Sequence, residues 1–146
     1  MKVALASDHG GVLLRNEIRN LLDEMNIEYE DFGCECEGSV DYPDYALPVA
    51  EKVANGEFDK GIVICGTGIG MSIAANKVKG IRCALVHDLF SAKATREHND
   101  TNMLAMGERV IGLGLGREIA RVWLSTEFEG GRHENRINKI SQYENK

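Results

Sequence analysis

The sequence predicts an α/β domain in which a five-stranded parallel sheet is covered by helices on both faces. Three observations carry that reading. Short apolar runs alternate five times with stretches whose apolar residues recur at helical spacing. No linker, internal repeat or low-complexity segment interrupts the alternation, so residues 1–146 read as a single domain. The two turns richest in glycine, Asp8-His9-Gly10-Gly11 and Cys65-Gly66-Thr67-Gly68-Ile69-Gly70, follow the first and third apolar runs. In the common strand order 2-1-3-4-5 the order of the strands reverses between strands 1 and 3, and ligands bind at such a reversal. Topology and composition therefore select the same crevice.

Taken in order, Lys2–Ser7 reads as a buried strand and Val12–Met25 as a helix in which Leu13, Leu14, Ile18, Leu21, Leu22 and Met25 recur at helical spacing. Ile27–Phe32 alternates apolar and acidic residues, the pattern of a strand near an edge. After the polar loop Gly33–Pro43, a helix over Tyr45–Asn55 closes at Gly56. The strand Lys60–Cys65 runs through its glycine loop into a helix entered at Ser72 and ending near Gly80. Strand Ile81–Val86, helix His87–His98, strand Met103–Met106 and helix Ile111–Ser125 follow, with Trp123 and the methionines as core. From Glu129 to Lys146 a charged arm carries Ile137 and Ile140 at helical spacing.

Composition removes several classes of function. A net charge of −6 argues against nucleic-acid binding, and a phosphorylated substrate would need arginines gathered locally. Val3–Ala6 is too short for the apolar core of a signal peptide, and no run approaches the ~20 apolar residues of a membrane span. Cys34 and Cys36 are too close in sequence to bridge comfortably, and no cysteine or histidine spacing resembles a metal site. Free thiols, no metal and a cytoplasmic setting are the expectation.

Cys65 closes a strand before a glycine loop and a helix start, where free N–H groups gather and negative charge can sit. The thiol there is either a buried structural residue or a base. The dinucleotide fingerprint fails because position 71 is Met71, and the phosphate-binding loop pattern has no match. A thiol phosphatase would place an arginine after its nucleophile, and a receiver domain would place a carboxylate at position 65. A thiol beside backbone donors, with Thr67 adjacent, suits removal of a proton next to a carbonyl. Asp8 and His9 are turn residues that either cap the next helix or face the ligand. Arg132 and Arg136 share one helical face and either converge on a phosphate or are solvated, with His133 pointing off that face. His87-Asp88 reads as a helix cap. His98-Asn99 ends a helix that starts at the ligand edge, so in one chain it lies at the opposite edge of the sheet. Only a neighbouring subunit can then bring it to Cys65; otherwise His98 is a helix-terminal histidine favoured by the dipole.

Asp8-His9-Gly10-Gly11, Asp41-Tyr42-Pro43-Asp44, Cys65-Gly66-Thr67-Gly68-Ile69-Gly70, Ala74-Ala75-Asn76-Lys77, His98-Asn99, Arg132 and Arg136 together resemble type B ribose-5-phosphate isomerases. The wider family includes allose- and galactose-6-phosphate isomerases, and the likeness runs over essentially the whole chain. It implies a Rossmann-like α/β/α domain that interconverts ribose 5-phosphate and ribulose 5-phosphate through a cis-enediolate, in the non-oxidative pentose phosphate pathway. It further implies no organic or metal cofactor, and a homodimer or homotetramer with sites shared between subunits and the 129–146 arm at the interface. By the same resemblance Cys65 is the base between C1 and C2, Thr67 assists proton traffic between the oxygens, and the backbone of Gly66, Gly68, Ile69 and Gly70 forms the anion hole. His98 opens the furanose ring with Asp8 assisting, and Asn99 holds substrate oxygens. His9, Arg109, Arg132 and Arg136 bind the phosphate and nearby hydroxyls. A subgroup that uses glutamate just past the glycine loop is excluded by Met71. Hexose 6-phosphates remain as alternative substrates. A flavodoxin-like nucleotide-binding regulatory module is the rival from another class.

Overall fold

The computed structural model describes residues 1–35 and 37–146. Five strands, β1 (Lys2–Ser7), β2 (Glu28–Asp31), β3 (Lys60–Cys65), β4 (Cys83–Leu85) and β5 (Met103–Gly107), form one sheet in which every pairing is parallel. Between and after them run α1 (Val12–Glu24), α2 (Pro43–Ala54), α3 (Ile69–Ala75), α4 (Leu89–Asn99), α5 (Glu108–Ser125) and α6 (Arg132–Glu144). A single 3-10 turn, His9–Gly11, joins β1 to α1.

The expected fold class is the one observed. The strand order is β2-β1-β3-β5-β4, so the last two strands exchange places relative to the expected 2-1-3-4-5. Burial explains the exchange. β5 is buried along its whole length, whereas β4 is three residues long and only partly covered, which suits an edge. Crossovers are right-handed, so the direction of each step decides which face its helix covers. The backward step from β4 to β5 puts α4 beside α5 on the α1 face, while α2 and α3 pack together on the other.

Side chains alternate across the sheet with the strand period of two. Val3, Leu5, Ile62, Ile64, Leu104 and Met106 point toward α1 and α5, where Ile18, Leu22 and Trp123 complete the larger core. Ala4, Ala6, Val63, Cys65 and Ala105 point toward α2 and α3. These small residues let α2 and α3 lie close to the sheet, and they put the Cys65 side chain on that face. Trp123 is fully buried and donates its indole N–H to Thr101 Oγ1 at 3.0 Å, so the ring's one polar atom is satisfied.

α2 begins at Pro43 and not Tyr45, β4 covers only Cys83–Leu85 of the expected Ile81–Val86, α3 ends at Ala75 and not near Gly80, and two helices start early for local reasons. The third helix starts three residues early, at Ile69, because Gly68 adopts φ +75° and turns the chain at once. A side chain could not replace that hydrogen, since a Cβ at position 68 would lie 2.7 Å from both the Met106 carbonyl carbon and Leu85 Cδ1. The fifth helix starts at Glu108 and breaks at Gly112, whose φ of 71° and ψ of −178° are not helical. Cys34 is disulfide-bonded, against the expectation of free thiols, while Cys65 and Cys83 are free. Cα separation and orientation decide whether a bridge closes, and sequence spacing is a weaker guide. The remaining cysteine, Cys36, lies outside the described residues.

Candidate active site

The structure gathers the sequence-selected residues at two ends of the sheet. At the C-terminal edge, β1 and β3 run side by side with Ser7 opposite Ile64, so the turns that follow them meet. Asp8 is buried, donates its N–H to the Ile64 carbonyl at 3.2 Å, and accepts from the Gly10 N–H through Oδ1 at 2.8 Å. Its capping role is therefore real, and it places the Asp8 carboxylate beside the Cys65 loop. Gly10 lies so close that a Cβ there would stand 3.0 Å from the Gly66 nitrogen. His9 is exposed and accepts from the Val40 N–H through Nδ1 at 3.1 Å.

Cys65 is 6% exposed, and its Sγ accepts a hydrogen bond from the Gly68 N–H at 3.0 Å. Thr67 is exposed, and its Oγ1 accepts from the Ile69 N–H at 3.3 Å. Gly70 and Met71 follow in the first turn of α3, where N–H groups have no carbonyl partner within the helix. The arrangement offers an acceptor sulfur, a hydroxyl and unpaired backbone donors around one point, which is the equipment for moving a proton beside a carbonyl.

Arg109 joins the same end. Its N–H donates to the Gly66 carbonyl at 3.0 Å, and a Cβ on Gly66 would meet its side chain at 3.3 Å. Two further residues belong here that sequence reasoning left without a site role. Tyr42 lies over Gly70, where a Cβ would be 2.6 Å from the phenol ring. The sequence predicts a helix cap at His87-Asp88. Asp88 does cap α4, accepting from the Ser91 N–H at 2.6 Å, but His87 Nε2 accepts from the Gly107 N–H at 3.1 Å. Tyr42 had its signal in the Asp41-Tyr42-Pro43-Asp44 motif of the family resemblance, which gave it no role, whereas His87 offered only a polar residue just past a strand end.

The other end holds His98, Asn99, Arg132 and Arg136. Asn99 ends α4 beside the start of β4, its carbonyl accepting from Arg82 Nε at 2.9 Å. Cys65 and His98 are therefore separated by the length of the sheet, roughly 17–20 Å for six residues of strand. At this end His98 stacks on His133 with centroids 4.4 Å apart and an interplanar angle of 17°. His133 is buried, and its Nε2 is 3.4 Å from Glu129 Oε2. Arg132 and Arg136 stand exposed on the outer face of α6, while His133 and Ile137 face inward, as the spacing predicts. Ligand atoms of His98, Glu129 and His133 lie within 4.8 Å of one another. A metal bound by both imidazoles must lie near both ring planes, which the near-parallel stack does not allow.

A family model for ribose/galactose isomerases matches residues 3–140. The chain belongs to that family. It is an isomerase, and it is similar along its length to several characterised sequences and structures. A Bacillus subtilis protein provisionally named a sugar phosphate isomerase is 77% identical over 147 residues, covering 100% of this chain and 99% of that one. The ribose-5-phosphate isomerase B of Escherichia coli is 48% identical over 143 residues, covering 98% and 96%. The solved structure of ribose-5-phosphate isomerase B from Clostridium thermocellum superposes with a TM-score of 0.96 at 54% identity, covering 99% and 98%. Other members of the family are named D-erythrulose-4-phosphate isomerases. Among the described residues no helix is long and apolar enough to cross a membrane.

Proposed function

We propose that this protein interconverts D-ribose 5-phosphate and D-ribulose 5-phosphate through a cis-enediolate. The observation that carries the reading is the Cys65 loop, where a nearly buried sulfur, an exposed hydroxyl and first-turn N–H groups lie together beside Asp8 and Arg109. Cys65, as thiolate, takes the proton from C2 of the open-chain aldose. The C–H pair becomes the C1=C2 bond, and the carbonyl π pair moves onto O1. Backbone N–H groups of the 66–70 loop hold that oxyanion, an interaction that typically lowers a barrier by ~3 kcal/mol per donor. Thr67 assists the proton's passage from O2 to O1, and Cys65 returns its proton to C1. No external electron carrier enters this balance.

Ribose 5-phosphate is mainly a ring, so a second acid–base group has to open it. His98 takes that role, Asp8 assists, and Asn99 holds the sugar oxygens, with His9, Arg109, Arg132 and Arg136 on the phosphate and nearby hydroxyls. Since His98 stands a sheet's length from Cys65 in one chain, a second copy supplies it, and the 129–146 arm travels with it to the interface. A ring of exposed apolar side chains supports this pairing. Leu13, Ile69, Leu85, Leu89, Phe90 and Val110 surround the C-terminal edge, Phe90 being 83% exposed. We place the enzyme in the cytoplasm, where phosphorylated sugars are held.

The test is a direct assay of the purified protein on ribose 5-phosphate, allose 6-phosphate and erythrulose 4-phosphate. Ribose 5-phosphate giving the largest kcat/KM supports the reading. The largest value with the four-carbon substrate, as the names of some relatives suggest, would overturn it in favour of that sugar.

A further inference from the structure

The β4–β5 ladder leaves a gap where the strand ends. The N–H of Met103 donates to the Arg82 carbonyl, and the Val86 N–H donates to that of Ala105. With a period of two, the next β5 amide requiring a β4 acceptor after Ala105 is Gly107, but β4 stops at Leu85. Gly107 is also the N-cap of α5, where its N–H lies outside the helix ladder. His87 fills the gap, its Nε2 accepting that N–H at 3.1 Å. The imidazole is thus the tautomer with its proton on Nδ1. Desolvation lowers the His87 pKa, against the opposing pull of Asp88, and so favours the neutral acceptor.

Gly107 is not a remote turn. It pairs with Cys65 in the β3–β5 register. A Cβ on it would lie 2.5 Å from the Thr67 carbonyl carbon, so the two backbones are in direct contact. Two residues later, Arg109 closes on Gly66. We infer that His87 is a positioning residue: through Nε2 it fixes the Gly107 turn that seats Thr67 and Arg109 against the Cys65 loop. This rests on the isomerase reading above for its kinetic consequence, and on the hydrogen bond alone for its structural one.

The test compares His87→Leu, which removes the acceptor at similar volume, with His87→Gln, whose Oε1 can accept the same N–H. Steady-state kinetics on ribose 5-phosphate and NMR amide exchange of Gly66, Thr67, Gly107 and Arg109 are read together. In His87→Leu, KM rises about tenfold with a smaller fall in kcat, since a lost acceptor loosens Arg109 more than the strand-anchored sulfur. The Gly107 and Arg109 amides exchange faster in that variant, and His87→Gln restores both readouts. Unchanged KM and exchange in His87→Leu, or equal losses in the two variants, would overturn the inference. If the wild-type protein isomerises no sugar phosphate, the functional reading fails by itself. The exchange comparison still decides the positioning claim, since slow exchange in wild type and Gln but fast in Leu sustains it and equal exchange in all three refutes it.

Discussion

The two ends of the sheet are built from different materials. At the C-terminal edge the groups that face the crevice are mostly backbone: N–H groups of the 66–70 loop, held by contacts between Gly10 and Gly66 and between Gly107 and Thr67. At the N-terminal edge they are long or titratable side chains: His98 on His133, Glu129 beside them, Arg96 buried, and Lys60 over the Trp123 ring at 4.9 Å. Backbone donors are fixed as soon as the strands pair, so they stabilise a developing oxyanion without reorganising. Side-chain groups at helix ends are set only when distant elements dock. The shared site proposed above draws on both kinds, one to hold the charge that chemistry creates and one to grip and open the substrate.

The largest expected effect falls on the first end. Cys65→Ala removes the proposed base and leaves the fold, because the alanine occupies a face already lined by Ala4, Ala6 and Ala105. Turnover of ribose 5-phosphate should fall by about 10²–10⁴, the usual contribution of a positioned general base. A fall of less than tenfold, with circular dichroism unchanged, would mean that another group moves the proton and that this end only binds.

How legible each end was in the sequence follows from the same difference. Strand, glycine loop and helix start at 60–75 could be read because the chemistry is local. An apolar run, a thiol and alternating glycines lie within eleven residues of Lys60, and the backbone does the rest. The displacement of His98 to the far edge was equally readable, since α4 has to run away from the strand end it follows. The inward turn of His133 was readable from its spacing, but its stacking on His98 was not, because that partner is on α4, a whole strand and helix earlier in the chain. The contacts of Tyr42 with Gly70 and of His87 with Gly107 were hidden for the same reason, each joining a glycine of another segment. The order of β4 and β5 depended on relative burial of two short strands, which similar composition hides. The disulfide at Cys34 escaped because Cα separation and side-chain direction, which decide whether a bridge closes, are not written in the sequence.

A smaller effect, and a sharper one for the comparison, comes from mixing the ends. His98→Ala alone should lose activity on the ring form of the substrate, as Cys65→Ala does. When the two inactive proteins are co-expressed or refolded together, half of a random dimer population pairs one of each, and one of its two sites is intact. Activity should then return to about a quarter of wild type. Absence of any recovery, with mixed dimers shown by native mass spectrometry, would place both groups of a site in one chain and contradict the separation across the sheet.

The smallest effect tests whether side chains at the N-terminal end carry the electrostatic strain that the backbone-built end avoids. Burial, reinforced by the nearby Arg96 charge, lowers the Lys60 pKa to about 8 despite Asp100, Glu127 and Asp59. In the unfolded chain the amine titrates near its ordinary 10.5. Between these values the unfolded state binds more protons than the folded one, so this residue's contribution to stability rises with pH from about 8 to 10.5 and is lost as pH falls through 8. Lys60→Met removes the titration while keeping an apolar stem over Trp123. Its stability relative to wild type should therefore be most favourable at pH 7 and decline by about 1 kcal/mol toward pH 10.5, by urea denaturation at each pH. A difference that stays constant across that range would show Lys60 to be solvated in its charged form, and the N-terminal edge would then be no more strained than the loop at Cys65.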